Sequence, residues 1–163
     1  MKKVKLKTGD IFSVRMNETF KRYFQFVGND ISQLNSDVIR VFKNSYSMDE
    51  SPDLRNIVND KVDFYAHVIL KLGIRMNIWI NVGNVFETGN FNEVLFRDSS
   101  DYGDPNIKIS NNWWIWKMNE PQKFVGNLID VYQKAEIGVI VRPQDVVDRM
   151  CSGKYKFNYP EYE

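Results

Sequence analysis

One thiol and one imidazole are all this chain offers for nucleophilic or multi-ligand metal chemistry. Cys151 is the single cysteine and His67 the single histidine in 163 residues. A cysteine nucleophile needs a base within hydrogen-bond reach and an electropositive, partly open setting. Cys151 falls near the end of a helical pattern, where the dipole raises a thiol pKa, and His67 lies in an apolar run. The pair therefore reads as a spare thiol and a structural histidine. One cysteine excludes a disulfide framework, and one histidine excludes the multi-histidine zinc sites. No Gly-x-Ser-x-Gly elbow, phosphate loop or dinucleotide fingerprint occurs. The sequence thus names no catalytic residue, no metal ligand set and no cofactor.

Two other clusters carry chemistry. Asp98, Asp101 and Asp104 recur every three residues in a polar stretch. Hard cations take such carboxylates, but the EF-hand order fails here: Gly103 occupies the sixth place from Asp98 while Ile109 stands where a glutamate is required. An acidic loop is also a means of covering a basic partner. Trp113, Trp114 and Trp116 could stack bases. Alternation puts Trp114 and Trp116 on one sheet face and Trp113 with Ile115 on the other. With only Lys117 and Lys123 nearby and a net charge of +1, core packing of Trp114 and Trp116 is favoured and nucleic acid is disfavoured.

The elements that must position these residues are short. Residues 11–16, 20–27, 37–42 and 62–70 read as strands rich in β-branched and aromatic residues, punctuated by Gly9-Asp10, Asn17-Glu18 and Gly28-Asn29. Residues 51–58 read as a short helix capped by Ser51 with Pro52 in its first turn. Residues 74–81 are ambiguous between strand and helical turn. Residues 93–97, 113–118 and 124–125 follow as strands, and 137–141 as the last one. Pro143, early acidic residues, Val146 and Met150 four apart, and Gly153 as a stop mark a helix. The expectation is an α+β fold with a mostly antiparallel, strongly curved or barrel-like sheet and two or three short helices, in one domain over 1–163.

Composition fits that picture: 43% apolar, 26% charged and 23 aromatic residues. Charge is +4 over residues 1–81 and −3 over 82–163, the first owing mostly to Lys2, Lys3, Lys5 and Lys7, which read as a solvated leading end. No apolar stretch of secretory or membrane-spanning length follows, so a cytoplasmic protein without membrane contact is expected.

Three islands together resemble a known family: Leu6-Lys7-Thr8-Gly9-Asp10-Ile11-Phe12; then Asp63-Phe64-Tyr65-Ala66-His67 with Gly73, Trp79 and Val82-Gly83-Asn84; then Glu136-Ile137-Gly138 with Arg142-Pro143. In this order the chain resembles the immunity protein 26 family of bacterial polymorphic toxin systems, which is grouped by name with a small phosphotriesterase. The resemblance covers residues 4 to about 153 and brings no catalytic residues with it. It implies a binder that neutralises a cognate protein toxin, a nuclease with a basic cleft being one candidate. The alternatives are a small hydrolase of the phosphotriesterase type and a single-stranded RNA-binding module. For toxin binding, the acidic and aromatic residues Glu87, Glu93, Asp98, Asp101, Tyr102 and Asp104 are the candidates, with the aromatics of residues 20–27 as the next surface to consider.

Overall fold

The structure, a computed structural model, describes residues 5–163. Lys2 and Lys3 lie outside the described residues; Lys5 and Lys7 are exposed. The first sheet is built from β1 (Asp10–Arg15), β2 (Phe20–Asp30), β3 (Ser36–Phe42), β4 (Tyr46–Ser47), β5 (Val62–Val68) and β6 (Trp79–Asn84), in the order β5-β3-β2-β1-β6 with β4 paired to one end of β2. The second is β7 (Leu95–Ser99), β8 (Trp113–Lys117), β9 (Lys123–Gly126) and β10 (Glu136–Ile137), in the order β10-β7-β8-β9. Helices α1 (Leu54–Val58), α2 (Leu70–Arg75) and α3 (Pro143–Ser152) complete the chain. The architecture is α+β and mostly antiparallel; β10 with β7 is the parallel pair between named strands. The first sheet stays open, with β5 and β6 at its opposite edges, so it is not a barrel.

Alternation along β1, β2, β3 and β5 sorts the first sheet into two covered faces. One presents Phe12, Val14, Phe24, Phe26, Ile39, Val41, Phe64, Ala66 and Val68 to Leu70 of α2 and to Val146 and Met150 of α3. The opposite face is divided. Ile11, Tyr23 and Phe42 pack against Ile57 of α1, while Val27 and Val38 pack against Phe96 and Trp116 of the second sheet. A sheet covered on both sides cannot show a simple in–out hydrophobic pattern. Its polar interior residues act as fasteners instead. Arg40 Nε donates to Gln25 Oε1 at 2.8 Å. Gln25 Nε2 then donates to Val85 O at 2.7 Å, and Arg40 Nη2 to Glu87 O at 3.0 Å. The chain leaving β6 is thus pinned to the sheet before it crosses to β7.

Four local expectations change. Tertiary capping ends β5 at Val68 rather than at residue 70: the Leu70 N–H donates to Asp37 Oδ2 at 2.9 Å and starts α2, which no local pattern announces. The ambiguous stretch 74–81 is the end of α2 followed by β6. Helix α1 begins at Leu54, not at residue 51, because Asp53 Oδ1 accepts from the Arg55 N–H and displaces Ser51 as the cap. Residues 137–141 are not one strand. The chain pairs with β7 as β10, then shifts across to β5, where Ile140 bridges His67 and the Val141 N–H donates to His67 O at 2.9 Å. This segment stitches the two sheets together.

Gly138 sits in that stitch with Trp116 pressed on it; a Cβ there would overlap the indole. Gly138→Ala is therefore expected to cost about 1–3 kcal/mol, the range for overpacking a filled site. Urea unfolding measures this; an unchanged midpoint would mean that the ring has room to move.

Candidate functional site

His67 lies between the two sheets with no exposed surface, and so does Asp30 at the end of β2. His67 Nε2 is 3.0 Å from Asp30 Oδ2. The same oxygen accepts from Trp116 Nε1 at 2.9 Å, and Asp30 Oδ1 accepts from the Asn119 N–H at 3.1 Å. Phe96 closes the site, its ring centre 4.3 Å from the imidazole centre. Burial lowers the His67 pKa, opposed by the Asp30 carboxylate. Burial also pushes Asp30 upward, but hydrogen bonds from His67, Trp116 and Asn119 together outweigh it and leave its pKa below the ordinary value. The consistent state is a neutral imidazole donating from Nε2 to a carboxylate. His67 Nδ1, buried and without a partner among the described residues, is then a bare acceptor rather than an orphaned donor. Cys151 is exposed on α3, beside Met16 and Phe20 in a separate hollow. Thiol and imidazole are not brought together. Among the described residues, no group of three His, Cys, Asp or Glu side chains is placed to hold a metal ion.

The acidic segment is ordered from within. Asp98 is on β7, where Tyr159 Oη donates to its Oδ1 at 3.1 Å. Burial raises its pKa, while the Ser99 N–H and Tyr159 oppose the shift. Asp101 Oδ2 accepts from Ser110 Oγ at 2.6 Å and from Asn112 Nδ2 at 3.1 Å. Asp104 Oδ1 accepts from the Asn106 N–H at 2.9 Å, closing a tight turn. The three carboxylates face three different sets of partners and do not converge. Asp98 and Asp101 are half-buried framework groups rather than free loop charges; Asp104 is exposed. Tyr102 stands out of this frame, 42% exposed, its ring 5.2 Å from Tyr159 and 6.4 Å from Phe157. Beside it opens a hollow of about 420 Å³ lined by Asp104, Lys108, Asn158 and Glu161.

No protein family, curated protein or solved structure matches the chain.

The other two candidates stand apart from that loop. Glu93 pairs with Lys117 at 2.9 Å on the surface. Glu87 contributes its backbone carbonyl to Gln25 and Arg40 and leaves its side chain exposed. The tryptophans also divide. Trp113 and Trp116 are buried, as alternation on a doubly covered β8 allows. Trp114 is only half-buried, which corrects its expected place in the core: it packs on Phe124 of β9, 52% exposed, at 5.1 Å and donates to Ser100 Oγ at 2.9 Å. A three-ring stacking platform is not formed. Residues 20–27 provide no aromatic surface either. Phe24, Phe26 and Tyr23 are buried in the middle of a doubly covered sheet, and Phe20 alone among those aromatics is exposed.

Sequence reasoning passed over the C-terminal segment. Tyr155, Phe157 and Tyr159 alternate after the Gly153 cap of α3 and run as an aromatic strap: Tyr155 and Phe157, stacked at 4.8 Å, pack on the first-sheet core beside Phe64, and Tyr159 reaches Trp113 of the second sheet. Their period of two after a helix stop was the available signal. The strap meets Arg97 and Arg149, two arginines that no motif marks. No helix among the described residues is long and apolar enough to cross a membrane.

Proposed function

We propose that the protein is an immunity-type binding protein that neutralises a cognate bacterial protein toxin in the cytoplasm, using the face around Tyr102 and Asp104. One observation carries this reading. The 99–112 connection is held by its own hydrogen bonds, Asp101 to Ser110 and Asn112, and Ser99 Oγ to Ser110 Oγ at 2.6 Å, while an aromatic ring and a carboxylate face outward from it. A loop ordered before binding loses little entropy on association, and an aromatic anchor with a charged rim is the usual composition of a protein interface. The resemblance to an immunity family supports the same reading.

The split among the carboxylates decides how to test it. Asp98 and Asp101 hold the fold, so changing them confounds binding with stability. Tyr102→Ala and Asp104→Asn remove exposed groups and should leave the melting temperature nearly unchanged. The partner to use is the toxin encoded by the neighbouring gene, with cell protection and association kinetics as readouts. The double variant should protect poorly. Its association should be slower than wild type at low salt, with the gap shrinking as salt rises. Wild-type protection and wild-type association rates at both salts would remove this face from the interface. Failure of the wild-type protein to bind or protect would overturn the reading itself.

A further inference from the structure

Two guanidinium groups and one carboxylate meet where β7, β10 and the end of α3 are crossed by the aromatic strap. Arg149 lies 4.1 Å from the centre of the Phe64 ring and 4.9 Å from that of Tyr155. Its Nη2 reaches Glu136 Oε2 at 3.4 Å, both side chains being more than four-fifths buried. Among the described residues, Arg97 has no such partner. Its Nη1 donates to two neutral carbonyls, Gln133 O at 3.1 Å and Ala135 O at 2.5 Å, and its guanidinium lies over the rings of Trp113 and Tyr162. Two positive charges thus share one negative charge in a largely desolvated place. Two donors there lack an acceptor among the described residues: Arg97 Nε and Tyr155 Oη are both buried without a hydrogen-bond partner. Burial pulls Arg97 below its ordinary pKa against the opposing pull of Tyr159, Tyr162 and Glu136, and burial pushes Glu136 up against the pull of Arg149.

The cluster backs an open hollow of about 510 Å³ lined by both arginines, Lys154, Tyr155 and Tyr162, with Glu161 as the carboxylate on its rim. A partly buried charge is costly until it is paired, and an orphaned donor adds to that cost. Guanidinium forks match the oxygens of carboxylates and phosphates, and tyrosine rings accept planar groups against their faces. We propose that this hollow binds a small organic oxyanion, a carboxylate or phosphate carried on a planar ring, with Arg149, Arg97 and Lys154 meeting the oxyanion and the strap tyrosines holding the ring. Binding would supply the negative charge that the cluster lacks.

The test titrates the full chain with benzoate, phenyl phosphate and inorganic phosphate at constant ionic strength, following the melting temperature and amide NMR shifts. A ligand that binds only the native state raises the melting temperature as its concentration passes its Kd. Benzoate or phenyl phosphate should give a saturable rise, with shifts confined to Arg97, Arg149 and residues 154–162, and whichever binds more tightly identifies the oxyanion. Inorganic phosphate should bind more weakly than the aryl compound. Lys154→Gln, an exposed change that leaves the buried cluster intact, should weaken binding several-fold, and Arg149→Gln more. If Arg149→Gln does not fold, Lys154→Gln alone decides. No saturable response to any of the three probes, or the same affinity in Lys154→Gln as in wild type, would overturn the proposal.

Discussion

Trp116→Ala is expected to cost about 3–5 kcal/mol of folding stability, the usual cost of emptying a large buried aromatic site. The side chain is more than a filler. Its ring packs on Phe96 at 6.0 Å and against Gly138, the residue at which the chain shifts between the sheets. Its Nε1 donates to Asp30 at 2.9 Å, so truncation also removes one hydrogen bond from a carboxylate that no water reaches. Both losses fall on the junction between the sheets rather than inside either one. Trp114→Ala is the matched control. That ring is half-buried two residues earlier on the same strand and donates to Ser100 Oγ, so its loss should cost clearly less. Urea titration of the two variants compares them directly. Equal costs would mean that Trp116 is not the residue coupling the two sheets.

Strand identity was legible where a local pattern sufficed. β1, β3, β8 and α3 with its Gly153 stop follow from β-branched runs, turn residues and helix-terminus signals, within a residue or two at each end. Two elements were illegible for a common reason. α2 starts because Asp37, 33 residues away, accepts from the Leu70 N–H. The 136–141 segment changes sheets because Trp116 and His67 meet it from two different strands. In both, the deciding partner is distant in sequence. The candidate site was legible in composition but not in role. Three aspartates at a spacing of three look alike in sequence, yet Tyr159, Ser110 and the Asn106 N–H assign each a different duty. The Arg97–Glu136–Arg149 cluster was invisible for the same reason, since its members come from β7, β10 and α3.

Several of the residues quoted for the resemblance make structural contacts, although Lys7, Thr8, Asp63, Val82 and Arg142 are exposed. Asn84 Nδ2 donates to Asp10 Oδ1, tying the start of β1 to the end of β6. Gly73 leaves room for the Trp79 indole, whose Nε1 caps the Leu70 carbonyl. His67 and Gly138 meet around Trp116. Arg142 opens α3 by donating its backbone N–H and guanidinium to the Asp145 carboxylate, with Pro143 as the first helical residue. Such residues bear on how a chain folds. The proposed partner surface instead draws on exposed groups, Tyr102 and Asp104.

The carboxylate at the junction carries the second large effect. Asp30→Ala would leave His67 Nε2, Trp116 Nε1 and the Asn119 N–H without their acceptor, and at about 1–3 kcal/mol for each orphaned buried donor a loss of about 3–5 kcal/mol is expected. The same site makes stability sensitive to acid. Burial holds the His67 pKa below 6.5, so as pH falls past that value the unfolded chain takes up a proton that the native chain refuses. Stability therefore drops. Asp30, held below 3.8, acts in the same direction further into acid: the unfolded carboxyl protonates first. Asp98 and Glu136, raised by burial, work the other way, because the native state takes up their protons before the unfolded chain does. The His67 contribution is consequently read as a difference, wild type against His67→Gln, a side chain that can still donate to Asp30 but does not titrate. The wild-type advantage should be constant above neutral pH and should shrink steadily once pH falls below 6.5. An advantage that stays flat into the acid range would mean that His67 is as readily protonated in the native chain as in the unfolded one. That would replace the neutral imidazole at this junction with an imidazolium–carboxylate pair.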